Sequence, residues 1–298
     1  MKKSSKPLFL NQSSLLSLFD TYVASVLFYG CEIWGFQKAD LIEKIHLDFC
    51  KNVLNVKGCT PNIMIYFELG RYPLVYERTY RMIKYWFKLI KTDNCILHTM
   101  YNEIKCSCIY KNNWVFSVKK TFHELGLGYI WDNQDHLVQS TTYYLSLIRQ
   151  RIFDQALQNL YHQLNAFVKC GILYRHLVED LHIQQYLVKS IPDIYKACIT
   201  KLRLSSHILA IETGRYKKIS RSNRVCIHCN RGVVEDEYHF VLICVSYKDL
   251  RENYIKKYYW NRPSMLKFIQ LLTCKNKKIL CNLGKYLFRA FKFRSSLI

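Results

Sequence analysis

The spacing Cys226-x2-Cys229-x9-His239-x4-Cys244 constrains this chain more than any other feature of it. Three thiols and an imidazole at such intervals are the donors that a tetrahedral zinc site takes, and a filled shell of four leaves no position for water or substrate. Cys226 and Cys229 are close enough for one tight turn to aim both sulfurs at a single point. The spacer containing Gly232 then lets the chain fold back, so that His239 and Cys244 complete the shell. The expected cofactor is structural Zn2+ on Cys226, Cys229, His239 and Cys244. His228 is expected to point outward, because a ligand between two others in so tight a turn is sterically awkward. With thirteen cysteines in 298 residues, the competing reading is that these thiols are small buried hydrophobes.

The run GRYKKISRSNR leads straight into the first cysteine pair, and it is one part of a wider imbalance. Lys plus Arg number 44 against 22 Asp plus Glu, a formal charge of +22. Such a chain repels itself unless a polyanion or counterions gather on it. RNA or DNA backbone is the expected partner, with no small-molecule substrate. A membrane surface is the other polyanion, yet there is no lipidation signal and the basic residues are spread over several segments. The cysteines are odd in number and irregularly spaced, unlike a secreted disulfide framework, so a reducing intracellular compartment, nucleus or cytoplasm, is expected.

Most long segments carry helical periodicity, and the expected fold is mainly α, with helical bundle segments and a small C-terminal zinc-stapled module. Near the start, Leu15, Leu16, Leu18, Phe19, Tyr22, Val23, Val26 and Leu27 suit a buried helix. Asp20 stands against a membrane span there, since a mid-span aspartate costs about 2.5–3.5 kcal/mol. Leu41, Ile45, Phe49 and Val53 recur every four residues as one amphipathic face. A short helix over IMIYFEL ends at Gly70, and Pro73 opens the next. That helix sets Arg78, Arg81, Lys84, Lys88 and Lys91 at steps of three, three, four and three, predicting a positive stripe. Residues 95–113 give a poor signal, with Cys106-x-Cys108 too short and isolated for a second metal site.

A short helix is expected at 116–125, a long one at 140–169, and an ambiguous stretch follows Gly171. From Pro192 a helix runs toward the basic entry, concentrating Lys201, Arg203, Arg215, Lys217, Lys218, Arg221 and Arg224. Basic amphipathic helices close the chain. The organisation read from these signals is a helical domain at 13–110, a helical connector at 111–190, a basic helix with the Cys/His module at 191–260, and basic helices at 261–298.

Several chemistries lack their residues. Two-metal nucleotide polymerisation needs a carboxylate pair, and no Asp-Asp occurs. Glu179-Asp180 and Glu235-Asp236-Glu237 are the acidic clusters, read as local helix starts or charge balance. Gly126-Leu127-Gly128 lacks the third glycine and the Lys-Ser/Thr of a phosphate loop, and no serine stands in a nucleophile elbow. The chain is expected to be no enzyme.

Three stretches resemble the C-terminal part of a LINE-type (non-LTR), jockey-like retrotransposon reverse transcriptase: YVASVLFYGCEIWGF at 22–36, IEKIHLDFCKNVLNVKGCTPNIMIYFELGRYPL at 42–74, and RLSSHILAIETGRYKKISRSNRVCIHCNRGVVEDEYHFVLICVSYKDLR at 203–251. The last is the most specific, since helix, basic connector, Cys pair, acidic triplet, His and Cys occur in the family's order. The resemblance implies a thumb, a helical connector and a Cys-Cys-His-Cys module, with the polymerase aspartates and the endonuclease upstream of Met1. It carries the ligand positions onto Cys226, Cys229, His239 and Cys244. Val245 departs from the pattern, where a proline commonly follows the last cysteine. The role implied is to grip template RNA and target DNA, with the stripe at 78–91 on a duplex backbone and Tyr216 or Tyr238 stacking on a base. The alternative is a zinc-stabilised protein-interaction module derived from a mobile element.

Overall fold

The computed structural model describes residues 10–106, 113–166, 171–229 and 231–296. Within these the chain is mostly helical, and the β contacts are two isolated antiparallel bridges, Leu69 with Ile183 and Val225 with Val234. The mainly α expectation is met. Cys108, Cys170 and the 167–169 end of the long helix lie outside the described residues. The chain divides into two compact units. One comprises the stretch ending at Leu16, Asp48–Arg71 and the stretch from Leu164 onward; the other comprises Ser17–Leu47 and Tyr72–Gln163.

In the second unit the core is built on the helix Leu74–Ile90, opened by Pro73 and roofed by the Glu43 carboxylate, which accepts the Leu74 amide at 2.8 Å. Trp86 and Phe87 are its centre, both buried. Trp86 meets Phe122 edge-on at 4.9 Å and stacks on Trp131 at 5.6 Å, while Phe87 stacks on Tyr144 at 6.1 Å. These rings come from the helices Trp114–Glu124, Gly128–Asp132 and Thr141–Ala166. The two polar atoms taken inside are both used: Trp86 Nε1 donates to the Tyr101 hydroxyl at 3.0 Å, and that hydroxyl donates to Gln134. Burial holds the Tyr101 phenol protonated up to about 12. Tyr101 sits on a helix, Cys95–Cys106, which the weak sequence signal did not disclose; it is that helix's one buried residue, so there is little apolar pattern to read.

Two predicted faces are corrected. The helix Asp40–Leu54 buries His46, Leu47, Cys50 and Leu54 rather than the predicted stripe, and Leu41 and Ile45 are exposed. In the N-terminal helix Phe19 and Ala24 are buried but Tyr22 and Val26 are exposed. In the π-helical turn at Phe19–Val23 the backbone bond joins positions five apart, Ala24 N to Phe19 O, so the inward face steps from Phe19 to Ala24.

The first unit surrounds the helix Asn62–Leu69, buried on nearly every side. Glu68 is wholly inside, and its carboxylate accepts from Arg203 Nε at 2.8 Å and from the hydroxyls of Tyr174 and Tyr186, each at 2.6 Å. Burial works against the Arg203 charge, but Glu68 more than offsets it, so that guanidinium is held more firmly protonated than usual. At Gly70, in the left-handed region at φ +64°, a Cβ would press within 2.5 Å of the Ile183 amide, so that close approach of two backbones requires glycine. The helix Asp193–Arg203 packs along the C-terminal helix Lys277–Ser296, with Tyr195 seated against Gly284. No helix among the described residues is long and apolar enough to cross a membrane.

Candidate metal centre and basic surfaces

Cys226 and Cys229 are presented by a narrow turn whose arms are tied by Cys226 N to Val233 O at 2.8 Å and Glu235 N to Arg224 O at 2.9 Å, with Gly232 at φ +65° in the return. The Asp236 carboxylate accepts the His239 amide at 2.8 Å and starts a second turn. That turn, His239–Ile243, is π-helical, closed by Cys244 N to His239 O at 2.8 Å. The effect is to point His239 and Cys244 at the same place as the first two thiols.

All four donor atoms lie within 4.8 Å of one another. Cys226 Sγ stands 3.9 Å from Cys244 Sγ, and Cys229 Sγ stands 3.5 Å from His239 Nε2. A tetrahedral ion with bonds of about 2.3 Å to sulfur and about 2.0–2.1 Å to nitrogen has ligand-to-ligand edges of about 3.5–3.8 Å. The donors therefore fit a bound metal. The hydrogen bond to Cys244, with burial behind it, pushes the Cys226 thiol up to about 12, and the same contact lowers Cys244.

A polar scaffold holds this cluster. Arg251 donates to Val241 O at 2.9 Å and to Cys244 O at 2.6 Å. Tyr286 donates to Phe240 O at 2.7 Å, and the Ser246 hydroxyl donates to His228 O at 2.7 Å. The acidic triplet is consumed here: Glu235 pairs with Arg294 at 2.7 Å and accepts the Ala210 amide, while Glu237 faces His207 at 3.0 Å and Ser205 at 3.1 Å. Burial alone would raise the Glu237 carboxyl, but the His207 and Ser205 contacts bring it below its ordinary value. His228 does not turn outward as its position in the turn suggested; it is half-buried, its ring edge-on to Tyr247.

The twelve cations singled out by sequence divide by their surroundings. Arg78 and Arg203 are corrected outright, since both are buried. Arg78 donates to Gln37 O at 3.1 Å over the Trp34 ring, and Arg203 is the buried partner of Glu68. At about 100° per residue, Arg81, Lys84, Lys88 and Lys91 share an arc of about 80°, and Arg78 stands about 60° outside it on the Met82 side. Arg81 pairs with Glu77 at 3.2 Å, Arg215 with Glu212 at 2.6 Å, and Arg224 donates to Ile211 O and Ile219 O. Lys201 is half-buried. Lys84, Lys88, Lys91, Lys217, Lys218 and Arg221 are exposed.

Beside the helix Leu74–Ile90 runs an open groove of about 710 Å³ lined by Tyr80, Arg81, Lys84, Tyr85, Lys88 and Arg149, together with Glu32 and Glu77. Arg149 lies over the Tyr80 ring at 5.0 Å. Sequence reasoning missed Arg149, Arg251 and Arg294. Arg149 and Arg294 each lie on a long helix and are marked by remote partners, Tyr80 and Glu235, while Arg251 is marked by the nearby carbonyls of Val241 and Cys244.

No family model, no curated protein and no solved structure matches this chain.

Proposed function

We propose that this chain is a non-catalytic, zinc-containing nucleic-acid-binding region, the C-terminal part of a LINE-type reverse transcriptase. The observation that carries the binding is the groove beside the helix Leu74–Ile90. Four cations there stand against two carboxylates, and Tyr80 and Tyr85 interleave with them. Backbone phosphates are held by such charge without regard to sequence, and aromatic faces stack on unpaired bases. Exposed Lys217, Lys218 and Arg221, on the entry to the metal cluster, supply a second cationic stretch. Zinc on Cys226, Cys229, His239 and Cys244 would bind all four lone pairs and hold the two turns together, leaving no reactive position.

The test is the salt dependence of binding to mixed-sequence single-stranded RNA and DNA by zinc-loaded protein. With about six phosphate contacts, log K falls against log salt with a slope near −4. Reversing Lys84 and Lys88 to glutamate is expected to flatten that slope by about 1.4, at about 0.7 per contact. Binding that ignores salt, or that survives K84E/K88E unchanged, overturns the assignment.

A further inference from the structure

Next to the metal cluster, and within the same unit, lies a second groove of a different character. It holds about 570 Å³, and Ile208, Ile219, Val225 and Ile227 line it together with charged groups, among them Lys217 and Arg224. Three of these isoleucines are open to solvent, Ile208 at 37%, Ile219 at 38% and Ile227 at 63%. Aliphatic surface concentrated in one concavity marks a docking site in a way that scattered exposed residues do not. The volume falls within the range of about 300–1,000 Å³ in which cavities take ligands or anchoring side chains.

The groove is preformed. Arg224, part of its lining, donates to Ile211 O at 2.9 Å and to Ile219 O at 2.8 Å, which fastens the loop carrying Ile219 to the helix Ala210–Tyr216. Gly214 gives Arg224 its passage, since a Cβ there would come within 2.7 Å of the Arg224 side chain. Ile227 stands between Cys226 and Cys229, so the turn that presents the two thiols also fixes this wall of the groove. A rigid receptor loses little freedom when its partner arrives.

Charge decides the occupant. Lys217 and Arg224 line this groove, and Lys218, next to Lys217 in the chain, is exposed. The carboxylate lining the groove, Glu235, is already paired with Arg294. No ring lines it, in contrast to the groove with Tyr80 and Tyr85. A lining that joins aliphatic side chains to cations and offers no stacking face suits a peptide helix whose one side is aliphatic and whose flanks are acidic. We infer that this groove docks an acidic amphipathic helix of a protein partner, its aliphatic anchors seated on Ile208, Ile219 and Ile227. The inference rests on the zinc reading only in that the ion holds the Ile227 wall in place; it shares Lys217 with the cationic stretch assigned above to nucleic acid, and the isoleucines tell the two apart.

The test uses the zinc-loaded full chain with its isoleucine methyl groups labelled for NMR, and a synthetic helical peptide carrying leucine at i, i+4 and i+7 with glutamate on its other faces. The expected result is saturable shifts at Ile208, Ile219 and Ile227. Binding is expected to weaken at least about tenfold in Ile227→Asp, and likewise in Ile208→Asp, which lies outside the ligand turn. Both variants are expected to keep their zinc and their salt-dependent oligonucleotide binding. Three outcomes overturn the inference: no peptide binding up to about 1 mM, the limit of weak association; equal binding by a control peptide whose leucines are serines, which reduces the contact to charge; or shifts of the same three methyls by single-stranded RNA instead of peptide. Loss of oligonucleotide binding with peptide binding intact would sink the nucleic-acid proposal and leave this one standing.

Discussion

Around Trp86 the chain buries little besides apolar side chains, whereas around Cys244 it buries donors, acceptors and charges along with the rings of Phe240, Tyr247 and Tyr286. In the first region Met82, Ile83, Trp86, Phe87, Val118, Phe122, Ile130 and Ile148 are almost wholly covered, and the polar content is one short chain from Trp86 to Gln134. In the second, carbonyls of Val241 and Cys244 are held by Arg251, Glu235 by Arg294 and Glu237 by His207, over a cluster of four potential ligands. Apolar burial is undirected and scales with area. Ligand and ion-pair contacts are directed, few, and costly to break singly. The two regions should therefore fail by different routes.

Removing the metal gives the largest expected effect. Apparent zinc-binding energies in finger peptides are about 10–16 kcal/mol, comparable to or above the whole stability of a domain, about 5–15 kcal/mol. Chelation is expected to abolish hydrogen-exchange protection across 225–251 while protection at 82–90 and 114–124 persists. Simultaneous loss in both would show a single cooperative structure and break the contrast. A zinc content of zero in protein purified without chelator would remove the cofactor assignment itself.

Trp86→Ala is expected to cost about 3–5 kcal/mol, measured by denaturant midpoint, with zinc stoichiometry unchanged. Loss of metal in that variant would make the core and the cluster interdependent. Glu68→Ala is expected to cost a similar amount, about 3–5 kcal/mol, because Arg203 is left buried without its counter-charge. The double variant Glu68→Met, Arg203→Met is expected to recover much of it; an additive loss would show that the hydroxyls of Tyr174 and Tyr186 depend on Glu68 more than Arg203 does.

The smallest effect is alkaline. A phenol whose proton is held to about 12 in the folded chain, against 10 unfolded, adds stability that is complete below pH 10 and is lost as pH rises toward 12. Tyrosinate absorbance is expected to lag for Tyr101 and to be released with unfolding, and Tyr101→Phe is expected to lessen that alkaline decline. Titration of every tyrosine near pH 10 in the native chain would contradict the burial.

Helix punctuation by Gly70 and Pro73 was legible because backbone geometry dictates it wherever the chain goes. The Cys/His spacing was legible for a related reason: ligands near in sequence need only local turns to converge. What could not be read depends on partners far along the chain. Arg203 looks like surface charge beside Lys201, and only Glu68, packed from a remote segment, shows it to be interior. Leu41 and Ile45 follow a clean period of four, yet the inward face is set by what packs on Asp40–Leu54, and it selects Leu47, Cys50 and Leu54. The acidic triplet was read as a helix start or charge balance, and Asp236 at the His239 turn and Glu235 against Arg294 play those parts, but Arg294 as the partner lay beyond any local pattern.

The π turn between His239 and Cys244 makes the two spacers of the cluster unequal in what they tolerate. The loop between Cys229 and His239 passes through exposed Arg231, Gly232 and Val233, and can lengthen or shorten at its tip. Between His239 and Cys244 the backbone bond spans five positions, and Phe240, Val241 and Leu242 are entirely inside. Deleting one of them would restore an ordinary turn and swing the last sulfur about 100° away from its companions. Among descendants of this sequence, indels belong in the first interval and are lethal to the cluster in the second.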